Sequence, residues 1–207
     1  MPTVLLTGFE PFDGATSNPS IEAVRLVDRD WDRAERLVVA ELPVAYARMG
    51  ADLDVLLAEH HPDVVIGAGL APGRDRVGLE RLAVNLCDAR IPDNDGAQPA
   101  EAPVLAGQPT ALFTSLPVKA TRMLLADAGI EAELSMTAGT FVCNAMFFRA
   151  AAWAGLALGR RAGFVHVPMP DGVGSPDLAT LARAVRVSVD AALDVDAELQ
   201  VAAGDTD

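Results

Sequence analysis

Residues 137–148 read TAGTFVCNAMFF, a turn of small residues that leads into an apolar segment with a cysteine near its start. If Thr140 is the N-cap of a helix, Cys143 lies in the first helical turn. Unpaired backbone N–H groups and the positive end of the helix dipole favour a thiolate at such a position. The stretch therefore offers a nucleophile. The alternative is a buried cysteine that acts only as a small hydrophobic residue.

The composition limits both the class of protein and the class of ligand. The 207 residues are enough for one α/β domain over residues 1–207, and no linker-like stretch divides them. The formal net charge of −13 leaves no basic surface for nucleic acid or an anionic membrane. The segment Met1–Gly8 lacks the pattern of a signal peptide or a membrane anchor. The two cysteines, Cys87 and Cys143, are too few for a disulfide framework, so we expect a cytoplasmic protein.

Short apolar runs and amphipathic segments follow one another along the chain. Val4–Leu6, Asp63–Ile66 and Gly163–Pro168 are typical of strands that are buried on both faces. Asn18–Pro19 predicts a helix start, and Ala45–His60 carries a helical apolar stripe. The other predicted elements are strands at Leu37–Val39, Leu112–Phe113 and Glu131–Ser135, and helices over Val118–Ala128, from the Cys143 turn to Arg160–Arg161, and from Ser175–Pro176 onward.

A glycine-rich stretch, Gly67–Gly73, follows a buried strand and supports an alternative function. Dinucleotide-binding folds place glycines after such a strand, so a nucleotide-binding α/β protein would use this loop. The spacing is G-x-G-x-x-x-G, however, and Pro72 and Gly73 oppose an immediate helix. These details argue against the nucleotide hypothesis.

Glu80 is the anomalous residue of the segment Arg74–Cys87. On an extended strand its carboxylate would share a face with Leu82, Val84 and Leu86. A buried carboxylate is costly unless it is paired, so Glu80 either belongs to a site or forms an ion pair with Arg74, Arg76 or Arg81.

His166 lies in an otherwise apolar strand, where it is either a hydrogen-bonded core residue or a base. Together with Cys143 and Glu80 it would complete a set of nucleophile, base and orienting residue. The members of such a set meet in space rather than in sequence, so three unrelated structural residues remain the alternative at this point.

Five motifs occur in unbroken order along nearly the whole chain. They are GFEPF at 8–12, the segment 69–85 with its Gly-Arg and Leu-Glu-Arg, RIPDN at 90–94, AGTFVCN at 138–144 and HVP at 166–168. Together they resemble the pyroglutamyl peptidase I, or pyrrolidone carboxyl peptidase, family of cysteine peptidases.

The resemblance implies a cysteine exopeptidase, an omega peptidase that hydrolyses the bond after an N-terminal pyroglutamyl residue through an acyl-enzyme. The family's nucleophile, base and glutamate correspond to Cys143, His166 and Glu80. The resemblance also implies an α/β fold, a three-layer α/β/α sandwich with a mixed, mostly parallel central sheet, and self-association, often as a tetramer. We expect neither a cofactor nor a metal.

The substrate pocket should be largely apolar with a few polar groups for the lactam, because pyroglutamate has no charged α-amine. The candidate substrate-binding residues are Phe9, Phe12, Asn18, Leu70, Arg90, Ile91, Phe141 and Val142. Asn18 would serve the lactam, Arg90 is a candidate by resemblance alone, and ordinary core packing is the alternative for the apolar members.

Three positions depart from the pattern of the family. Leu70 stands where many relatives have glutamine, Met136 where asparagine is common, and Ala145 where histidine is common. The change at Leu70 matters if the side chain, rather than the backbone, meets the substrate.

Overall fold

The computed structural model describes residues 1–170 and 176–204. Its strands are Thr3–Phe9 (β1), Arg36–Leu42 (β2), Val64–Leu70 (β3), Val77–Glu80 (β4), Leu82–Val84 (β5), Ala111–Phe113 (β6), Ala132–Ser135 (β7) and Arg161–Val167 (β8). Six of them form one sheet in the order β2-β1-β3-β8-β4-β7, while β5 and β6 pair as a separate antiparallel ribbon. Within the large sheet β4 and β8 are antiparallel and the other neighbours are parallel. The predicted mixed, mostly parallel sheet is confirmed.

Helices cover both faces of this sheet. They are Pro19–Arg29 (α1), Tyr46–His60 (α2), Val118–Asp127 (α3), Val142–Ala154 (α4) and Leu178–Asp194 (α5). One apolar core lies between the sheet and α1, α3 and α5, and a second lies between the sheet and α2 and α4. Leu5 and Leu6, adjacent on β1, belong to opposite cores and are both fully buried, which explains why such strands read as continuous apolar runs. The three-layer α/β/α prediction is confirmed.

Local signals explain where several helices begin and end. Asn18 caps α1 by accepting a hydrogen bond from the backbone N–H of Ser20, and Pro19 occupies the first turn as predicted. Gly129 has a φ of 73° directly after the C-cap of α3, where glycine tolerates the left-handed conformation. The last helix is capped by Asp177, and Ser175 of its predicted start lies outside the described residues.

The segment Arg74–Cys87, considered above as one extended strand, forms two strands instead, because the chain changes sheets at Arg81. The backbone N–H of Arg81 donates to the carbonyl of Ser135 beside the large sheet, and the carbonyl of Arg81 accepts from Thr114 beside the small ribbon. Glu80 therefore belongs to β4, and the aliphatic residues that follow it belong to a different structure.

Two further boundaries differ from the prediction. The helix that carries Cys143 ends at Ala154, where tighter i to i−3 bonds at Leu156 and Ala157 close the last turn, and Arg161 already starts β8. The strand β3 also continues through Gly67 and Gly69, which the sequence suggested were part of a loop.

No helix of residues 1–170 and 176–204 is both long and apolar enough to cross a membrane.

Candidate active site

A cavity of about 340 Å³ opens at the end of β3 and beside the start of α4. Most of its lining is apolar. The predicted site residues that line it are Phe9, Phe12, Asn18, Leu70, Phe141, Val142, Cys143 and His166. Val44, Ala71, Arg74 and the segment 137–139 also line it, and the sequence analysis did not assign them to a pocket.

Cys143 is the second residue of α4, so its predicted position in the first helical turn is confirmed. The N-cap, however, is Phe141 and not Thr140, whose hydroxyl instead donates to the carbonyl of Asp88 at 2.7 Å. No side chain caps this helix. Its first backbone N–H groups therefore remain available to a developing oxyanion.

The surroundings of Cys143 disfavour the thiolate. Burial raises its pKa to about 12, the negative charge of Glu80 acts in the same direction, and the residue's own backbone N–H opposes them. The helix start therefore does not by itself produce the thiolate that the sequence suggested. If this sulfur acts as a nucleophile, a base must remove its proton.

The imidazole of His166 is held by a fully buried carboxylate. Nδ1 of His166 lies 2.7 Å from Oε1 of Glu80, and His166 itself is 5% exposed. This contact occupies Nδ1 and leaves Nε2 as the ring nitrogen for proton transfer. Both residues lie on the face of the sheet that α4 covers, because they alternate with Leu79 and Val165 of the opposite core.

Arg74 is the ion-pair partner of Glu80. Its Nη1 donates to the same Oε1 of Glu80 at 2.8 Å, whereas Arg76 pairs with its neighbour Asp75. The predicted ion pair of Glu80 is therefore confirmed, with Arg74 as the partner among the three arginines considered. Oε2 of Glu80 is buried and has no hydrogen-bond partner among the described residues.

Glycines flank His166 on both neighbouring strands. In the sheet register His166 is opposite Gly69 on β3 and opposite Gly78 on β4. A Cβ on Gly69 would lie 2.8 Å from Sγ of Cys143, and one on Gly78 would overlap the guanidinium of Arg74. Residues opposite each other in a sheet share a face, so the missing side chains admit the cysteine on one side of the imidazole and the arginine on the other.

The structure does not bring Arg90 or Ile91 into the cavity lining. The side chain of Arg90 is exposed, and its carbonyl accepts a hydrogen bond from Gln98 within the same loop. Bonds such as Ala89 N–H to the carbonyl of Pro99 close this loop on itself and keep it at the surface.

The rest of the RIPDN motif braces other segments. The carboxylate of Asp93 accepts a hydrogen bond from the backbone N–H of Tyr46, the first residue of α2. The N-cap of this helix, Ala45, makes no capping hydrogen bond with its own side chain. Asn94 donates to Oε1 of Glu10 at 2.8 Å and to the carbonyl of Pro11 at 3.0 Å. The motif thus supports the GFEPF loop, which supplies Phe9 and Phe12 to the cavity.

Two candidates for binding the lactam have limited capacity for hydrogen bonds. Asn18 uses its oxygen to accept from Ser20 and one amide N–H to donate to the carbonyl of Glu10, so one further amide hydrogen remains. Leu70 lines the cavity with an aliphatic side chain, so hydrogen bonds at that position would come from backbone groups. Met136 is half exposed and Ala145 is buried within α4.

The glycine stretch does not form a nucleotide cradle. Gly67 and Gly69 lie inside β3, and a turn closed by Arg74 N–H to the carbonyl of Ala71 leads on toward the strand β4. No helix N-terminus follows β3 in this described part of the chain to receive a phosphate. The glycine at 69 instead makes room for Phe164 and Cys143.

Comparisons with known proteins agree on one family. The family model for pyroglutamyl peptidase matches residues 2–195. A pyrrolidone-carboxylate peptidase from Clavibacter michiganensis subsp. michiganensis is 50% identical over 168 residues, which cover 81% of this chain and 79% of that protein. One from Erwinia tasmaniensis is 44% identical over 220 residues and covers 100% of both chains.

Solved structures give the same result. The pyrrolidone carboxyl peptidase from Thermococcus litoralis superimposes with a TM-score of 0.92 at 36% identity, over 98% of this chain and 100% of that chain. The pyroglutamyl peptidase I from Bacillus amyloliquefaciens superimposes with a TM-score of 0.91 at 34% identity, over 97% of this chain and 99% of that chain.

Proposed function

This chain belongs to the pyroglutamyl peptidase family and is a peptidase, and we propose that it hydrolyses the bond after an N-terminal pyroglutamyl residue with Cys143 as its nucleophile. A single observation supports this proposal most strongly: Cys143 and the imidazole of His166 line the same largely apolar cavity, and that imidazole is bound to the buried Glu80.

The lining of the cavity favours a neutral lactam over a charged amine. Arg74 and His166 are the basic residues of the lining, and no carboxylate lines it among the described residues. An α-ammonium would find no counter-ion there and would meet the positive charge of Arg74. Pyroglutamate carries no such charge, so its ring can occupy the apolar part of the cavity.

Aromatic side chains support the binding of a flat ring. Phe12 and Phe141 lie with ring centroids 6.2 Å apart, and Phe9, which also lines the cavity, packs on the buried Phe164. We propose Phe9, Phe12, Phe141 and Val142 as the apolar contacts, with the free amide hydrogen of Asn18 and backbone groups at Leu70 for the lactam. Arg90 and Ile91 are left out of this set.

The chemistry begins with a neutral thiol. Nε2 of His166 takes the proton from Cys143 as Sγ attacks the pyroglutamyl carbonyl carbon, and the backbone N–H groups at the start of α4 receive the oxyanion. When the C–N bond breaks, the imidazolium returns its proton to the departing peptide amine. Water, deprotonated by His166, then hydrolyses the thioester. Glu80 keeps the ring oriented and stabilises its positive charge.

We also propose the location and the assembly of the enzyme. It is a single domain over residues 1–207 that acts in the cytoplasm and self-associates, as a tetramer by family resemblance. Both cysteines are free thiols, which suits a reducing compartment, and the net charge of −13 does not favour nucleic acid as a partner. Multi-angle light scattering would measure the assembly, and a strictly monomeric mass would refute the tetramer.

The test uses two fluorogenic substrates and two matched cysteine variants. We expect wild-type protein to release aminomethylcoumarin from pyroglutamyl-aminomethylcoumarin and to be inactive on the prolyl derivative, whose ring amine is charged. Cys143→Ser should lose nearly all turnover. Cys87→Ser changes the same atom at a buried site outside this cavity and should retain it.

Two results would refute the proposal. Turnover of Cys143→Ser near the wild-type rate would remove Cys143 as the nucleophile. Equal hydrolysis of the pyroglutamyl and prolyl substrates would contradict the argument from the uncharged lactam.

A further inference from the structure

Glu80 is buried in a way that demands a cation. Its side chain is fully buried, and a carboxylate in such a place stays ionised only when charged or strongly polar groups compensate for lost water. Its Oε1 accepts from two groups, His166 at 2.7 Å and Arg74 at 2.8 Å. The guanidinium is the permanent positive charge of the two.

The backbone leaves a space for this guanidinium. Gly78, directly opposite His166 in the sheet, has no Cβ where Nη1 of Arg74 lies, and any larger residue would overlap it. Arg74 reaches this space from the turn between β3 and β4. Arg74 therefore contacts Glu80 on the sheet and also lines the cavity. Its side chain is partly buried, with 22% of its surface exposed.

The same side chain fixes a second wall of the cavity. Nη2 of Arg74 donates to Oγ of Ser135 at 3.1 Å and to the carbonyl of Thr137 at 3.0 Å. Residues 137–139 line the cavity and lead into the helix that carries Cys143. Glu133 on β7 lies farther away, 3.5 Å from Nη1, and its side chain is 44% exposed, so it competes weakly with Glu80.

We propose that Arg74 is a positioning residue, which holds Glu80 and through it the imidazole of His166 in place for the reaction of Cys143. This inference rests on the proposed function, because it assigns Arg74 a part in that same reaction. Two parallel N–H groups in a planar fork suit the task, since one fixes the carboxylate while the other fixes the cavity wall. A lysine could supply the charge, but its single nitrogen does not reproduce the two separate donor nitrogens of the guanidinium.

The inference is tested by kinetics of Arg74→Gln, Arg74→Lys and, as a control, Arg76→Gln. Arg76 is more exposed and pairs with its neighbour Asp75. On pyroglutamyl-aminomethylcoumarin we expect Arg74→Gln to lower kcat about 10-fold to 100-fold, with a smaller change in KM. Arg74→Lys should recover part of kcat, and Arg76→Gln should be within about twofold of wild type. Circular dichroism and thermal unfolding establish that each variant is folded.

A double-mutant cycle separates positioning from a general structural effect. If Arg74 acts through Glu80, then Arg74→Gln should cost less than about threefold in a Glu80→Gln background, because the partner is already lost. The same fold loss in both backgrounds, or wild-type kcat in folded Arg74→Gln, would overturn the inference. If Arg74→Gln does not fold, the kcat of Arg74→Lys provides the test. A kcat equal to that of wild type would show that the planar guanidinium is not needed and would overturn the inference. Failure of wild-type protein itself to hydrolyse the substrate would instead refute the proposed function.

Discussion

Adding one methyl group at Gly69 should displace Cys143, the proposed nucleophile. A Cβ there would lie 2.8 Å from Sγ of Cys143 and 2.7 Å from Cζ of Phe164, whereas ordinary contacts are 3.4–4 Å. The shortfall to the nearer limit is about 0.6 Å at the sulfur and about 0.7 Å at the ring. Phe164 is 1% exposed and packs against Phe9, Phe147 and His166, so the ring has little room to move.

The displacement therefore falls on Cys143, and its effect has two measurable parts. A 1 Å misplacement of a reacting group can lower the rate about 100-fold, so we expect Gly69→Ala to lower kcat/KM by about 10-fold to 100-fold. Overpacking of this kind destabilises a core by about 1–3 kcal/mol. For a chain of this length that corresponds to a fall in Tm of about 2–12 °C. The assays are hydrolysis of pyroglutamyl-aminomethylcoumarin at 25 °C and differential scanning calorimetry.

Two glycine variants control for these effects. Gly73→Ala adds a methyl group with no heavy atom within 4 Å, so both kcat/KM and Tm should match wild type. Gly67→Ala overpacks the core against Phe164 and Met146 but not against Cys143, so Tm should fall with a much smaller loss of kcat/KM. Wild-type kcat/KM in Gly69→Ala, or equal losses of kcat/KM in Gly67→Ala and Gly69→Ala, would refute the argument that Gly69 makes room for the nucleophile.

Three further predictions concern the thiol of Cys143 and two buried side chains, Asn144 and Asp93, that hold neighbouring segments in place. Asn144 is fully buried and makes three hydrogen bonds to the backbone at Val84 and Leu86, so Asn144→Leu should lower the free energy of unfolding by at least about 3 kcal/mol in urea titrations, and a loss below about 1 kcal/mol would contradict this. Because burial raises the pKa of Cys143 to about 12, the thiol should be largely protonated at pH 8, and alkylation by iodoacetamide should accelerate steadily from pH 7 to pH 10; a plateau below pH 8 would show a preformed thiolate. The same shift favours the neutral thiol in the folded state, so its stabilising effect is present below the ordinary thiol pKa of about 8.5 and is lost as the pH rises toward 12. Asp93→Ala removes the acceptor of three backbone N–H groups, so it should cost about 1–3 kcal/mol in the same titrations with kcat nearly unchanged at 25 °C, and unaltered stability would refute its bracing role.

Features set by a few adjacent residues were predictable from the sequence. Asn18 and Pro19 start α1 as expected, because an N-cap and a proline in the first turn act within a few residues. The position of Cys143 in the first turn of α4 was predicted for the same reason, even though the cap itself is Phe141 rather than Thr140.

Features set by distant residues were not predictable by periodicity. The strand after Glu80 breaks because Arg81 bonds to Ser135 and Thr114, which are remote in sequence. The contact between Glu80 and His166 depends on the antiparallel register of β4 and β8, and no local pattern reveals that register. Family resemblance identified Glu80 and His166 as candidate residues, but it did not predict that Nδ1 of His166 lies 2.7 Å from Oε1 of Glu80.

Motif membership alone also did not distinguish binding from support. Arg90 belongs to a family motif, yet its side chain is exposed while Asp93 and Asn94 of the same motif brace neighbouring segments. Arg74 was one of three arginines near Glu80 in sequence, and no local pattern distinguished it from the other two. The signal that could have identified it is Gly78, which removes the side chain that would have blocked the guanidinium.

In the proposed reaction Cys143 attacks a pyroglutamyl carbonyl that is bound in this cavity. The most direct test of this step is labelling with pyroglutamyl diazomethyl ketone, which presents the lactam and alkylates a thiol held beside its carbonyl. Peptide mapping by mass spectrometry should find one label per chain on Cys143, with activity lost in proportion and protection by a pyroglutamyl peptide. A label on Cys87, or full activity after Cys143 has been labelled, would contradict this step.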